Sequence, residues 1–215
     1  MTPIELIGLR ISVYTRIARL ALEEKHADYE LSEVDIFADG GPPESYLELH
    51  PFGTIPCLRQ GDFVLYETGA ITRYIDETCP GPGPGLQPGD ARQRARMNQI
   101  ISVLDNYAYR PMVWDVYVQR IAVLEGDGQP DEARIESGLT KSYRVLKQLD
   151  DWCGARDFLV GDSLTLADLY AYPMLLYFSR TREGDKLLQE VPRVQAWMER
   201  MQDRPSVLAT TYHAD

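Results

Sequence analysis

Apolar and polar residues fall into strand-length and helix-length blocks over the first eighty positions, then into a nearly continuous helical pattern. Ile4–Leu9 is an apolar run of strand length. Arg16–Lys25 places Ile17, Leu20, Ala21 and Leu22 on one face among good helix formers, which predicts a helix. Tyr29, Leu31, Val34 and Ile36 predict a second strand whose alternation slips at Ser32-Glu33. Asp39-Gly40-Gly41-Pro42-Pro43 reads as a loop. Cys57–Gln60 and Phe63–Tyr66 flank Gly61-Asp62 and predict a hairpin. Glu67-Thr68-Gly69-Ala70 then opens a helix with Ala70, Ile71, Tyr74 and Ile75 at helical spacing. Strand, helix, strand, hairpin and helix imply a small mixed sheet with helices packed on it.

Cys79–Asp90, CPGPGPGLQPGD, breaks the pattern, because alternating Pro and Gly support neither helix nor central strand. It predicts a linker at 79–90 between a sheet domain at 1–78 and an all-helical domain at 91–215. The helices expected beyond it are Asp90–Leu124, as one helix or two with a kink at Pro111, then Arg134–Cys153, Thr165–Tyr177 and Pro192–Gln202. Asp203-Arg204-Pro205 closes the last. Thr165 with Asp168 three residues on is a helix-capping pair and reads as a folding signal.

Composition narrows the class. The chain has 215 residues, 44% hydrophobic and 26% charged, which fits one large or two modest globular domains. The net charge of -11 argues against nucleic acid or an anionic membrane as partner. No apolar run reaches membrane-span length and Met1–Arg10 lacks a signal-peptide layout, so a cytoplasmic protein is expected. Cys57, Cys79 and Cys153 are widely spaced, which points to buried thiols rather than a disulfide framework. His26, His50 and His213 show no metal-ligand spacing.

Candidate chemistry concentrates in His50–Ile75. Pro56 donates no backbone hydrogen bond, so the backbone of Ile55 beside it is open to another partner. Glu67 and Thr68 stand at a strand-to-helix junction, where free N–H groups and the helix dipole favour an anion. Glu67 suits an ammonium, and the Thr68 hydroxyl and N–H suit a carboxylate. The competing reading makes Thr68 an N-cap and Pro56 a strand-edge residue.

Taken in order, SVYTRIARLALEEK, HPFGTIPCL, YETGAITRYI, GDSLTLADLYAYP and WMERMQDRPSV resemble the cytosolic glutathione transferases over essentially the whole chain. The nearest pattern is the serine-type groups, phi-like or their bacterial relatives. The resemblance implies a thioredoxin-like N-terminal domain, an all-helical glutathione transferase C-terminal domain, a homodimer, glutathione as co-substrate and a detoxifying conjugation of electrophilic small molecules. By position it assigns Ser12 to the thiolate, with Tyr14 and Thr15 as competing hydroxyls. Thr54, Ile55 and Pro56, the last expected cis, fall on the cysteinyl contacts, and Glu67 and Thr68 on the γ-glutamyl contacts. Tyr14, Tyr107, Arg110 and Trp114 fall on the electrophile pocket. Tyr107, Arg110, Trp114, Tyr117 and Ile121 would share one face of an α-helix. Phe52 would insert into a partner subunit. The chain departs from the pattern at Asp39-Gly40-Gly41, which offers no cation for the glycyl carboxylate and leaves only the backbone N–H groups of the glycines. That departure points to one alternative, a non-catalytic glutathione- or ligand-binding member of the fold; a second alternative, from another use of the fold, is a domain used only for assembly.

Overall fold

The computed structural model describes residues 2–81, 85–121, 123, 126 and 128–212. Linker positions 82–84 and His213 lie outside these residues. The chain divides into two compact units, Met1–Leu86 with the segment from Arg204, and Gln87–Asp203.

The first unit contains β1 (Ile4–Ile7), α1 (Val13–Glu24), β2 (Tyr29–Ser32), α2 (Glu44–Leu47), β3 (Cys57–Gln60), β4 (Phe63–Tyr66) and α3 (Thr68–Thr78). The sheet order is β2-β1-β3-β4, parallel between β1 and β2 and antiparallel elsewhere. This is the small mixed sheet that the residue pattern implies. Leu6 and Leu58 from the sheet pack with Ile17, Leu20 and Leu22 of α1 and Ile71 and Ile75 of α3 in the fully buried core. The hairpin matches its predicted bounds, whereas β2 ends at Ser32, where the alternation slips. Val34 and Ile36 instead pack from a loop against Ile7, Tyr46 and Cys57.

Two arginines of α1 are buried, Arg16 and Arg19. Their guanidinium groups donate to the C-terminal end of the chain: Arg16 to the Val207 carbonyl and Thr210 Oγ1, each at 3.3 Å, and Arg19 to the carbonyls of Ala209 and Thr210, at 3.2 and 3.3 Å. Glu24 adds a forked pair with Arg204 at 2.9 and 2.7 Å. These bonds hold the final helix, α10 (Pro205–Ala209), in the first unit, although the residue pattern assigned all of 91–215 to the helical domain. Cations at the last carbonyls of a helix also complement its dipole.

The second unit is helical: α4 (Ala91–Val103), a π-helix (Leu104–Tyr117), α5 (Val118–Arg120), α6 (Glu132–Cys153), α7 (Leu166–Ser179), α8 (Arg182–Gln189) and α9 (Pro192–Gln202). The expected kink at Pro111 is replaced by a change of hydrogen-bond period that begins at Leu104. The proline, which lacks an N–H, sits inside the wider turns. Gly138 of α6 lets the π-helix approach closely, since a β-carbon there would lie 3.0 Å from Val116 Cγ2 and 3.1 Å from the Pro111 carbonyl. α8 was not expected from the pattern; it is short and starts at Thr181, whose hydroxyl accepts from the Gly184 N–H at 3.1 Å. Asp150 of α6 accepts from the N–H groups of Arg193 and Val194, which serves as an N-cap for α9 from another helix.

Asp168 organises this unit. It is fully buried and accepts four hydrogen bonds, from the N–H groups of Leu159 and Thr165, the Thr165 hydroxyl and the Trp197 indole, all at 2.8–2.9 Å. Burial pushes its carboxyl above the usual range, against the pull of those donors. An ordinary capping contact is worth about 1 kcal/mol, but here four buried donors would be left unpaired. Asp168→Ala is therefore expected to lower stability by about 3 kcal/mol or more in urea unfolding. A loss near 1 kcal/mol would reduce Asp168 to a simple helix cap.

Candidate functional site

The strand register brings the candidate segments to one end of the sheet. Ile7, the last residue of β1, pairs with Ser32, the last of β2, and with Cys57, the first of β3; Cys57 pairs with Tyr66, the last of β4. The loops 8–12 and 33–43, the approach 53–56 and the junction 67–69 therefore all leave from this end. Ligands of open sheets bind outside the carboxyl ends of parallel strands where the strand order switches, which here is between β2-β1 and the antiparallel hairpin.

Ser12 is the N-cap of α1, with extended backbone, and its Oγ accepts from the Thr15 N–H at 3.3 Å. That bond uses a lone pair and leaves the hydroxyl hydrogen available to donate. Thr15 is completely buried and its hydroxyl has no hydrogen-bond partner among the described residues. A β-carbon on Gly8 would lie 2.4 Å from that hydroxyl, so the glycine is what lets the loop lie over it. Thr15 is thus shut away from solvent beneath the loop, while Tyr14 is half-buried in the first turn.

The Ile55–Pro56 bond is cis, as expected. Among the described residues neither the N–H nor the carbonyl of Ile55 makes a hydrogen bond, so this backbone edge is open. Two side chains that the sequence reading did not single out brace the residue before it. The Tyr46 hydroxyl donates to the Thr54 carbonyl at 2.6 Å, and the Thr54 hydroxyl lies 3.0 Å from His50 Nε2. His50 is 1% exposed and stacks on Tyr66 with ring centroids 4.6 Å apart, and its Nδ1 is buried without a hydrogen-bond partner among the described residues. Phe52 makes edge contacts with His50 and Tyr66 yet is 72% exposed. Tyr46 comes from α2, a single helical turn whose sequence carries no periodic signal. That is why its role was not legible.

Glu67 joins β4 to α3 at φ +70, a conformation that L-residues rarely adopt. It does not cap α3. The N–H groups of Thr68 and Gly69 and the Thr68 hydroxyl make no hydrogen bond among the described residues. The junction therefore presents an exposed carboxylate beside unused donors at a helix start, which suits a ligand carrying both ammonium and carboxylate. In the 33–43 loop the Gly41 N–H is used by the Ala38 carbonyl at 2.9 Å, so only Gly40 of the glycine pair keeps a free donor.

The remaining candidates lie in the second unit. Tyr107 is 63% exposed, Arg110 is exposed, and Trp114 is half-buried. The π-helix rearranges the expected stripe, because contacts now join residues five apart. Arg110 donates to Asp115 at 3.2 Å, and Trp114 is hydrogen-bonded to Tyr109, whose phenol burial pushes upward. Tyr117 instead packs on Tyr177 at 4.6 Å. Arg110 shares Asp115 with Arg134, which lies closer, at 2.7 Å. The cysteines carry no accessible thiolate, since all are buried and burial pushes Cys57 to about 11 and Cys153 to about 12.

A thioredoxin-like sheet with an open backbone edge before a cis proline, followed by a helical unit, defines a thiol-binding class of fold. The chain matches the model of the glutathione S-transferase N-terminal domain over residues 11–78 and that of the C-terminal domain over 97–205. Glutathione S-transferase F13 of Arabidopsis thaliana is 32% identical over 205 residues, covering 95% of this chain and 93% of that protein. The apo structure of glutathione S-transferase III superposes with a TM-score of 0.85 at 31% identity, covering 97% of this chain and 95% of that one. Glutathione S-transferase I from maize, in complex with an atrazine glutathione conjugate, superposes at 0.84 with 28% identity, covering 97% and 96%. The chain belongs to the cytosolic glutathione S-transferase family and is phi-like within it.

The buried imidazole gives a pH test. Burial lowers the His50 pKa from its ordinary 6.5, against the opposing charge of Glu67. Below that ordinary value the unfolded chain binds the proton more readily than the folded one. Stability should therefore fall with pH through this window until the folded-state pKa is passed. Unfolding titrations between pH 7 and 5 are expected to show a steeper loss for the wild type than for His50→Asn. Parallel slopes would mean that His50 is not held neutral.

Proposed function

We propose that this protein conjugates glutathione to electrophilic small molecules through a thiolate held by Ser12. The reading rests on one observation above all: Ser12, the unpaired backbone of Ile55 and the Glu67-Thr68 junction leave the same end of one sheet in a chain of this family. Ile55 pairs with the cysteinyl backbone of glutathione. Glu67 takes the γ-glutamyl ammonium, and the Thr68 hydroxyl and N–H take its carboxylate. Thr54 and Pro56 shape the approach.

The chemistry follows from the thiol. A free thiol titrates near 8.5, so at neutrality only a few per cent is the nucleophilic thiolate. The Ser12 hydroxyl, which accepts from the Thr15 N–H with one lone pair, donates its hydrogen to sulfur and favours the charged form. The positive end of α1 adds to this. Sulfur, its proton having left to solvent, then attacks an electrophilic carbon; as the C–S bond forms, the carbon's bond to a leaving group such as chloride breaks and its electron pair departs with that group.

Tyr14, Tyr107, Arg110 and Trp114 are assigned to the electrophile side. The protein acts in the cytoplasm as a detoxifying homodimer, with Phe52 of each subunit inserted into the other; its exposure supports this. Among the described residues no helix is long and apolar enough to cross a membrane. A binding-only role is the second reading, favoured by the absence of any Lys, Arg or His in the 33–43 loop.

Ser12→Ala is expected to keep glutathione binding, raise the pKa of the bound thiol and lower turnover, while Tyr14→Phe does much less. The measurement is thiolate absorbance of bound glutathione against pH, beside turnover of 1-chloro-2,4-dinitrobenzene. A large shift in Tyr14→Phe with none in Ser12→Ala would move the role to Tyr14. Binding without turnover of any aryl halide, epoxide, isothiocyanate or peroxide would favour the second reading.

Glu67→Ala and Thr68→Ala are each expected to weaken glutathione binding by about 1–3 kcal/mol in calorimetric titration, with smaller effects on unliganded melting. Wild-type affinity in both would misplace the γ-glutamyl end.

A further inference from the structure

In the sheet order β2-β1-β3-β4, the Glu67-Thr68 junction follows β4 at one side and the open edge of Ile55 precedes β3. A peptide with its γ-glutamyl end at the junction and its cysteinyl backbone on Ile55 carries its third residue on toward the ends of β1 and β2. The 33–43 loop stands there. Val34 and Ile36 of that loop pack, with Ile55, on the cluster of Ile7, Tyr46 and Cys57. Its Pro42 lies against Gly53, where a β-carbon would come within 2.9 Å of Pro42 Cγ. The loop holds three exposed carboxylates, Glu33, Asp35 and Asp39, and no Lys, Arg or His. Every Lys and Arg in this unit already has a partner. Arg10, on the neighbouring 8–12 loop, pairs with Glu33 at 3.0 Å, Lys25 with Asp76 at 3.1 Å, Arg59 with Glu5 and Arg204 with Glu24. Arg16 and Arg19 are taken up at the end of α10, and Arg73 donates to the Gly69 carbonyl at 2.6 Å. Of the loop's backbone donors, the Phe37 N–H goes to Asp35 Oδ1 and the Gly41 N–H to the Ala38 carbonyl, and the two prolines have none.

We propose that the candidate site recognises its thiol through the γ-glutamylcysteinyl part alone, and accepts γ-glutamylcysteinyl thiols with an uncharged C-terminal end, as an amide or ester, at least as well as glutathione. This rests on the reading of the site given above and names the class of thiol that it takes. Arg10 offsets Glu33, which leaves the charges of Asp35 and Asp39 beside the place where a third-residue carboxylate would lie. A carboxylate brought there is repelled, and no Lys or Arg of this unit is left to meet it. Neutral donors such as the Gly40 N–H can serve an ester or amide carbonyl too. The net charge of -11 acts in the same sense, because glutathione with one ammonium and two carboxylates is an anion, whereas its glycyl ester is neutral overall. The other end of the ligand is read differently. The Glu67 carboxylate and the unused donors of Thr68 and Gly69 match an ammonium and a carboxylate carried on one carbon, so discrimination concentrates there.

The test is calorimetric titration of the full-length protein with glutathione, its glycyl monoethyl ester and N-acetylglutathione. The ester is expected to bind as tightly as glutathione or more tightly, with any difference narrowing in added salt, which screens the exposed carboxylates. N-Acetylglutathione, which lacks the ammonium, should bind at least about tenfold more weakly than glutathione. Asp39→Lys replaces a carboxylate of the loop with a cation. It is expected to shift the ratio of the two affinities toward glutathione by at least about threefold, with the melting temperature at its wild-type value because Asp39 is exposed. Weaker binding of the ester than of glutathione by the wild type would overturn the proposal, and so would a ratio that Asp39→Lys leaves unmoved. Glutathione bound with the ester rejected sinks this proposal alone. Failure of both to bind sinks the transferase reading and this proposal with it.

Discussion

The alignment of Ile7, Cys57 and Tyr66 across three strands is the constraint on which the candidate site depends. It makes β1 and β4 finish where β3 begins, and the parallel partner β2 finish there too. Four chain segments far apart in sequence then emerge side by side. A one-residue slip of β3 would break these pairings and send each of its side chains to the opposite face. The register needed to bury a core is the same register that assembles the site.

Around this frame, buried polar groups are placed where several donors or acceptors meet. Asp168 serves four donors from a helix start, a loop and a distant tryptophan. Asp150 caps α9 from α6. Arg16 and Arg19 satisfy the terminal carbonyls of α10. Apart from the local Thr165–Asp168 pair, each contact joins segments that have no local reason to meet, and each becomes costly to disrupt because its partners are shut away from water. The candidate site shows the opposite condition. Its donors at Thr68 and Gly69 and the Ile55 backbone are left unused, which is what a polar ligand requires.

Charge follows a similar division. A chain of net charge -11 repels anions at long range, so anionic groups must be met by local features. At the candidate site the available features are helix starts and unused backbone N–H groups rather than lysines or arginines.

Much of this was legible in the residue order. Periodicity placed the hairpin and α9 at their observed bounds and gave the long helices, because amphipathic spacing reports burial directly. The ordered run from Ser12 through Pro56 and Glu67 to Asp168 pointed to the family, because those residue types answer local backbone needs: a cap, a bend, a junction. What the order did not carry depends on packing in three dimensions. The stripe from Tyr107 to Tyr117 assumed α-helical turns, and only the π-helix decided which residues meet. The bracing of Thr54 by Tyr46 and His50 uses a one-turn helix with no periodic signature. The sequence by itself determined which segments fold locally and which residue types stand at their ends. The tertiary structure decided which of their polar groups are spent on one another and which remain open, because hydrogen-bond partners are chosen by proximity in space.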